Sequence, residues 1–199
     1  MNYDILITGV GGQGQVLASR LIGAAAILEG HSVRTGETIG MSQRGGSVVS
    51  HVRIGGQSKA ATVPFGHANL IIGLELCETV RILKRLSPEG SLIVNNQIIN
   101  PVTVSLGMEA YDVSAMEKAL QESSKNLILL DGALLAQESG SVKAVNVVLL
   151  GAAVGAGYLP LSKDSFLTAI RETLPVKFHD LNSKAFESGF LHARAARVK

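Results

Sequence analysis

Two glycine-rich stretches hold the residues whose types and spacing could do chemistry. The first, Gly9-Val10-Gly11-Gly12-Gln13-Gly14, has the spacing G-x-G-x-x-G and stands between an apolar run and a helical pattern. Glycine there lets the backbone approach a phosphate, and the unpaired N–H groups at the start of the helix favour an anion. A dinucleotide site would add an acidic residue about 20 positions on, where the second strand ends. Glu37 stands near that place, but the pattern has it opening a polar loop, and Gly12 with Gln13 departs from a dehydrogenase fingerprint. A tight turn that needs glycine only to pack a helix on a sheet is the plainer alternative. The second stretch runs from Glu37 to Ser47 and sets Gln43, Arg44, Gly45, Gly46 and Ser47 between two expected strands. A planar guanidinium beside approachable backbone suits a phosphate, a carboxylate or a partner's main chain. A solvated connection would show the same composition.

The other reactive side chains form no constellation. His51 and Arg53 share one face of an expected strand, where packing or hydrogen bonding is the ordinary role of such a histidine. His31, His67, His179 and His192 have no metal-ligand spacing with cysteine or carboxylate. The single cysteine, Cys77, excludes an internal disulfide and an iron–sulfur cluster held by this chain alone, since such clusters take several thiolates. No G-x-x-x-x-G-K, G-x-S-x-G or H-E-x-x-H pattern occurs. A binding scaffold is expected, with no catalytic residue and no metal on this chain.

The elements that must position these residues follow from periodicity. Tyr3–Thr8 reads as a strand, Gln15–Leu28 as a helix ended by Gly30, Ser32–Thr35 as a second strand and Ser47–Ile54 as a third. Gly55-Gly56 has the form of a hairpin turn into a strand over Gln57–Val63. Further strands are expected at Asn69–Leu74, Ser91–Asn95, Pro101–Ser105, Tyr111–Val113 and Asn126–Asp131. Helices are expected at Glu75–Leu86, from Ser114, at Ala133–Glu138, Val142–Gly155, Lys163–Thr173 and Asp180–Arg197. This alternation predicts a single domain over residues 1–199: a three-layer α/β/α fold with a largely parallel, partly mixed sheet and a Rossmann-like N-terminal strand–turn–helix.

Composition narrows the function classes. Of the 199 residues, 46% are hydrophobic and 17% charged, which excludes a disordered chain and leaves less charge than the roughly 25% of an average soluble domain. Surplus apolar surface of that kind suits a partner. The net charge of +2 is scattered, and aromatics are 4% with no tryptophan, so a nucleic-acid interface is not expected. Ala144–Leu161, the longest nearly uncharged stretch, is broken by Asn146 and three glycines, so no membrane span is expected either. With no signal-peptide pattern at the N-terminus, the expectation is a cytoplasmic protein.

At the level of motifs, Gly9–Gly14 together with ETIGMSQRGGSVVSHVR over Glu37–Arg53 resembles the gamma domain of the 2-oxoacid:ferredoxin oxidoreductases. The second motif is similar to the branch formed by the beta subunits of the indolepyruvate enzymes. Ala68–Gly73 (ANLIIG), Asn146–Ala152 (NVVLLGA), and Asn182, Phe186 and Gly189 carry the resemblance along the whole chain. It implies a subunit that is inactive alone within a heteromeric enzyme. That enzyme would convert an aryl pyruvate, CoA and oxidised ferredoxin into an arylacetyl-CoA, CO2 and reduced ferredoxin. Thiamine diphosphate and iron–sulfur clusters would belong to a larger alpha subunit, which also meets ferredoxin. Asn95-Asn96 occurs here without the G-D-G that precedes such a pair in a thiamine signature. Carried over to this chain, the resemblance assigns CoA, as co-substrate, to Gly9, Gly11, Gly12, Gln13, Gly14, Glu37, Gln43, Arg44, Gly45, Gly46 and Ser47. A free-standing nucleotide-binding oxidoreductase and a purely structural interaction subunit are the alternatives.

Overall fold

Ile5, Leu6 and Ile7 are consecutive, apolar and fully buried, so the strand that carries them must be covered on both faces. The computed structural model, which describes residues 1–39, 46–56, 60–100, 104 and 112–196, meets that demand with three layers. Its strands are β1 (Asn2–Val10), β2 (Val33–Ile39), β3 (Ser47–Gly55), β4 (Ala68–Gly73), β5 (Leu86–Asn95) and β6 (Asn126–Leu130). Its helices are α1 (Gln15–Leu28), α2 (Leu76–Arg81), α3 (Val113–Ser123), α4 (Gly132–Glu138), α5 (Val145–Gly155), α6 (Lys163–Thr173) and α7 (His179–Ala196). The sheet order is β2-β3-β1-β4-β5-β6. β1, β4, β5 and β6 run parallel, and β3 is antiparallel to both β1 and β2.

Ile5 and Ile7 share one side of the sheet with Val52, Ile54, Leu70, Ile72 and Ile93, under α1, α5, α6 and α7. Leu6 shares the other with Val49, Ile71, Leu92 and Val94, where α2 and α3 contribute Leu76 and Leu120. The deepest helix is α5. Every residue from Val145 to Ala153 is buried, as the uniformly apolar sequence requires. Its contact with α7 is backbone against backbone: a Cβ on Gly151 would lie 1.9 Å from the Phe186 carbonyl oxygen, and one on Gly189 would lie 1.9 Å from that of Val148. The stacked rings of Phe166 and Phe186, 5.3 Å between centroids, pin α6 to the same crossing.

The structure departs from the sequence expectation in several places. β2 runs on through Glu37 to Ile39, so Glu37 lies within a strand, opposite Ser50, instead of opening a loop. The hairpin expected at Gly55-Gly56 does not form over Ala60–Val63, while residues 57–59 lie outside the described ones. The reason is topological: β3 already has β1 on one edge and β2 on the other, so no edge is left for a following strand. Finally, the helix expected over Glu75–Leu86 breaks into α2 and a 3-10 turn at Leu83–Arg85, and β5 starts at Leu86. The Ser87-Pro88-Glu89-Gly90 segment becomes a bulge, for Leu86 pairs with Ala68 and Ser91 with Leu70. Of the strands expected at Pro101–Ser105 and Tyr111–Val113, only Val104, which is helical, and Asp112 and Val113 are described. Asp112 caps α3 and Val113 opens it.

Two glycine substitutions test the packing. Gly189→Ala should lower the unfolding free energy by about 3 kcal/mol, because a methyl group driven into a helix backbone forces α5 and α7 apart. Gly23→Ala, whose Cβ would meet only Val33 Cγ1 at 3.8 Å, should raise it by about 0.5–1 kcal/mol through helix propensity. Chemical denaturation of both variants against wild type is the measurement.

Candidate functional site

The C-terminal ends of β1, β4, β5 and β6 lie side by side, and the chain leaves β1 and β4 toward opposite faces of the sheet. In open α/β sheets such a switch point is where a crevice forms. Here neutral side-chain amides build it. Gln13 Oε1 accepts from the Val10 N–H at 2.7 Å, and Gln13 Nε2 donates to the Leu74 carbonyl at 3.2 Å. The same carbonyl accepts from Asn95 Nδ2 at 3.1 Å, while Asn95 Oδ1 accepts from the Gly132 N–H at 2.9 Å. Hydrogen bonds thus cross the sheet from the end of β1 to the start of α4. Gln15 Nε2 adds a bond to the Val10 carbonyl at 2.9 Å. Gly9 is glycine for this reason: a Cβ there would sit 2.5 Å from Gln13 Oε1 and 2.9 Å from Leu74 Cβ.

Above this belt lies a cleft of about 610 Å³, lined by Gly12, Gln13, Gly14, Leu17, Gln97, Ile99, Ala133, Val142, Lys143, Val145 and Asn146. Gly12 and Gly14 have φ of 99° and 88°, a backbone that side chains disfavour. Gly14 opens α1 with no side-chain cap and no acid in the first turn, so the positive end of the helix is not offset by a carboxylate. Lys143 adds a cation on the opposite wall. The Asn146 Nδ2 group donates to the Gly14 carbonyl at 3.1 Å and ties α5 to α1 across the cleft. The remaining wall, Gln97 to Ile99, hangs on Glu75, whose carboxylate accepts from the N–H groups of Glu78 at 2.8 Å and Ile99 at 3.2 Å. Burial pushes the Glu75 carboxyl above its ordinary value, against the pull of those donors.

The residues singled out in the sequence divide into groups. Gly12, Gln13 and Gly14 line the cleft, and Gly9 lies beneath them. Gly11 turns away, and its N–H donates to the Gly46 carbonyl at 2.9 Å, which joins the first glycine stretch to the end of the second. Ser47 begins β3 opposite Val10. Gln43, Arg44 and Gly45 lie outside the described residues. Glu37 is not in the cleft. β3 stands between β2 and β1, which sets Glu37 two strand spacings, about 10 Å, from β1, and its Oε1 is 3.5 Å from Ser19 Oγ on α1.

His51 and Arg53 are structural. His51 Nδ1 accepts from the Val63 N–H at 3.1 Å, Nε2 faces Thr38 Oγ1 at 3.3 Å, and burial, with the charge of Arg85, lowers its pKa. Arg53 forms a two-pronged ion pair with Asp4 at 2.8 and 3.1 Å and reaches the carbonyls of Ala60 and Thr62. Cys77 sits partly buried in the first turn of α2. Asn95, Gln97, Lys143 and Asn146 were not among the site residues read from the sequence. The asparagine that heads the apolar Asn146–Ala152 stretch and Asn95 in the incomplete Asn95-Asn96 pair were the available signals.

Asn95 gives the belt a test. Asn95→Ala should cost about 2–3 kcal/mol of stability, because it leaves a buried N–H at Gly132 and removes a donor from Leu74. Gln13→Ala should cost less than about 1 kcal/mol, since Gln13 is half-buried and water can replace it. Urea unfolding of the two variants compares them.

Comparison with known proteins places this architecture. The family model for pyruvate ferredoxin/flavodoxin oxidoreductase matches residues 4–191. The chain is 40% identical over 194 residues to the indolepyruvate oxidoreductase subunit IorB of Thermococcus kodakarensis, covering 96% of each chain. To the protein of the same name from Pyrococcus horikoshii it is 41% identical, with the same coverage. Among solved structures, the gamma subunit of the keto/oxoacid ferredoxin oxidoreductase of Geobacter sulfurreducens superposes with a TM-score of 0.71 at 25% identity, covering 97% of this chain and 99% of that one. A 2-oxoglutarate:ferredoxin oxidoreductase from Magnetococcus marinus shares the fold at 18% identity and a TM-score of 0.71, this chain covering 31% of that longer one and 98% of its own length. With the match running nearly from end to end, this chain belongs to the pyruvate ferredoxin/flavodoxin oxidoreductase family, as a subunit of an oxoacid:ferredoxin oxidoreductase.

Proposed function

We propose that this chain is the beta subunit of a cytoplasmic indolepyruvate or aryl-pyruvate ferredoxin oxidoreductase and helps a larger alpha subunit bind CoA. One observation carries the choice of substrate branch. Identity to the indolepyruvate subunits reaches 40–41% over 96% of the chain, against 29% to the common gamma subunit of the pyruvate and ketoisovalerate enzymes of Pyrococcus abyssi. The reaction is oxidative decarboxylation: the bond between the carboxylate and the keto carbon breaks and CO2 leaves, the CoA thiol gives up its proton to solvent as the acyl–sulfur bond forms, and the two electrons released pass to oxidised ferredoxin. Thiamine diphosphate and iron–sulfur clusters, bound by the partner, supply the carbanion chemistry and the electron path. One cysteine, half-buried in a helix, does not suit this chain to hold such a cluster itself.

The part left to this chain is anion capture. The uncapped start of α1, with Gly12 and Gly14 giving backbone access and Lys143 opposite, suits the phosphates of CoA. The Gly11–Gly46 hydrogen bond ties that turn to Gly46, and we assign Arg44, two positions before Gly46 in the sequence, to the same anionic co-substrate as its guanidinium partner. The Magnetococcus marinus protein that shares the fold is solved with coenzyme A bound, in keeping with this assignment.

Reconstitution with the alpha subunit tests the reading. Indolepyruvate and phenylpyruvate should be oxidised with CoA faster than pyruvate, and Arg44→Ala should raise the KM for CoA by about tenfold with little change in kcat, the pattern of lost uniform binding. Equal use of pyruvate would refute the substrate branch, and an unchanged CoA KM would refute the role of Arg44.

A further inference from the structure

Asn146 is a polar residue that packing does not explain. It occupies the first turn of α5, whose other residues are apolar, and is 2% exposed. Its Nδ2 is committed to the Gly14 carbonyl, which fixes the direction of the carboxamide. Its Oδ1 is buried without a hydrogen-bond partner among the described residues. A buried oxygen left unpaired is unfavourable, and native structures seldom keep one without a use for it. Valine or leucine, its neighbours in the helix, would avoid the penalty.

The cleft wall that contains Asn146 faces the uncapped first turn of α1, so the surroundings are otherwise rich in donors: helix N–H groups and Lys143. An anion satisfies those donors and does nothing for Asn146 Oδ1. We propose that Asn146 is a specificity-determining residue, whose Oδ1 accepts a hydrogen bond from an N–H or O–H group of a ligand whose phosphate rests on the first turn of α1. The ligand class is therefore a phosphate ester that carries a hydroxyl or amide N–H near its phosphate. Bare phosphate or pyrophosphate has at neutral pH no donor beyond the P–OH of the anion that itself rests on α1, and so no hydroxyl or amide N–H beside it. Naming CoA as the member of this class rests on the function proposed above; the contact itself does not.

Calorimetric titration of the full chain with CoA, NAD and inorganic pyrophosphate tests the contact. Asn146→Ala should weaken CoA binding about tenfold or more and leave pyrophosphate binding unchanged. Equal weakening of both probes would mean that the residue only shapes the start of α1, and no weakening of either would mean that it is unused; both results overturn the proposal. So does failure of all three probes to bind. Should Asn146→Ala not fold, the side-chain amide signal of Asn146 in the ¹⁵N-labelled wild type decides. A shift on adding CoA but not pyrophosphate supports the contact, and the same response to both, or to neither, overturns it. If NAD in place of CoA shows the dependence on Asn146, the contact stands and the CoA assignment falls. If the reconstituted enzyme turns over CoA while Asn146→Ala binds it like wild type, the assignment stands and the contact falls.

Discussion

The carbonyl oxygen of Leu74 is the point on which the cleft hangs. It stands just past the end of β4, accepts from Gln13 on one side and Asn95 on the other, and its own N–H donates to the Thr8 carbonyl. Parallel strands end by exposing backbone groups that no neighbour satisfies, and buried groups of that kind must be paired. Carboxamides suit the task, since each carries a donor and an acceptor and burying one costs far less than burying an ion. Were Leu74 to lose these partners, the turn at Gly11–Gly14, the Gln97–Ile99 wall and the start of α4 would lose their common reference. Their positions fix the cleft.

A second constraint, the glycine crossing of α5 and α7, sets how deep the opposite wall lies. Asn146 reaches Gly14 because α5 is sunk against the sheet, and α5 can sink there because Gly151, Gly155 and Gly189 let α7 close over it. The insertion of β3 between β1 and β2 has the contrary effect on the other flank. In a dinucleotide-binding half the second strand lies beside the first and its terminal acid meets a ribose. Here an antiparallel strand takes that place and Glu37 is carried away from the glycine turn toward Ser19. The same glycine spacing therefore serves a differently shaped site.

What the sequence made legible follows the range of the interactions. The alternation of strands and helices, the burial of α5 and the glycine turn rest on local periodicity and were readable without a structure. The family resemblance was carried by contiguous motifs, and the comparisons bear it out. The belt was hidden, because its hydrogen bonds join residues 61, 21 and 37 positions apart, and the Asn146–Gly14 bond spans 132. Asn95 invited attention only as half of an incomplete thiamine signature. The missing hairpin at Gly55-Gly56 was illegible for a related reason: a turn can be recognised locally, but whether its strand has an edge left to join depends on the whole sheet.

The neutrality of the carboxamide belt beneath the cleft bears on the division of labour in the assembled enzyme. An ion-pair brace across the strand ends would place a carboxylate beside the start of α1, where it would oppose any anion arriving from solvent or from the partner. The buried acid nearest the wall, Glu75, is turned instead toward the N–H groups of Glu78 and Ile99, behind the Gln97–Ile99 segment. The field left in the cleft comes from the α1 terminus and Lys143, both favourable to phosphate, with Asn146 the buried side chain whose acceptor is still unused. A site of that character can hold and orient an anion, and a chain with one cysteine is not suited to carry an iron–sulfur cluster of its own.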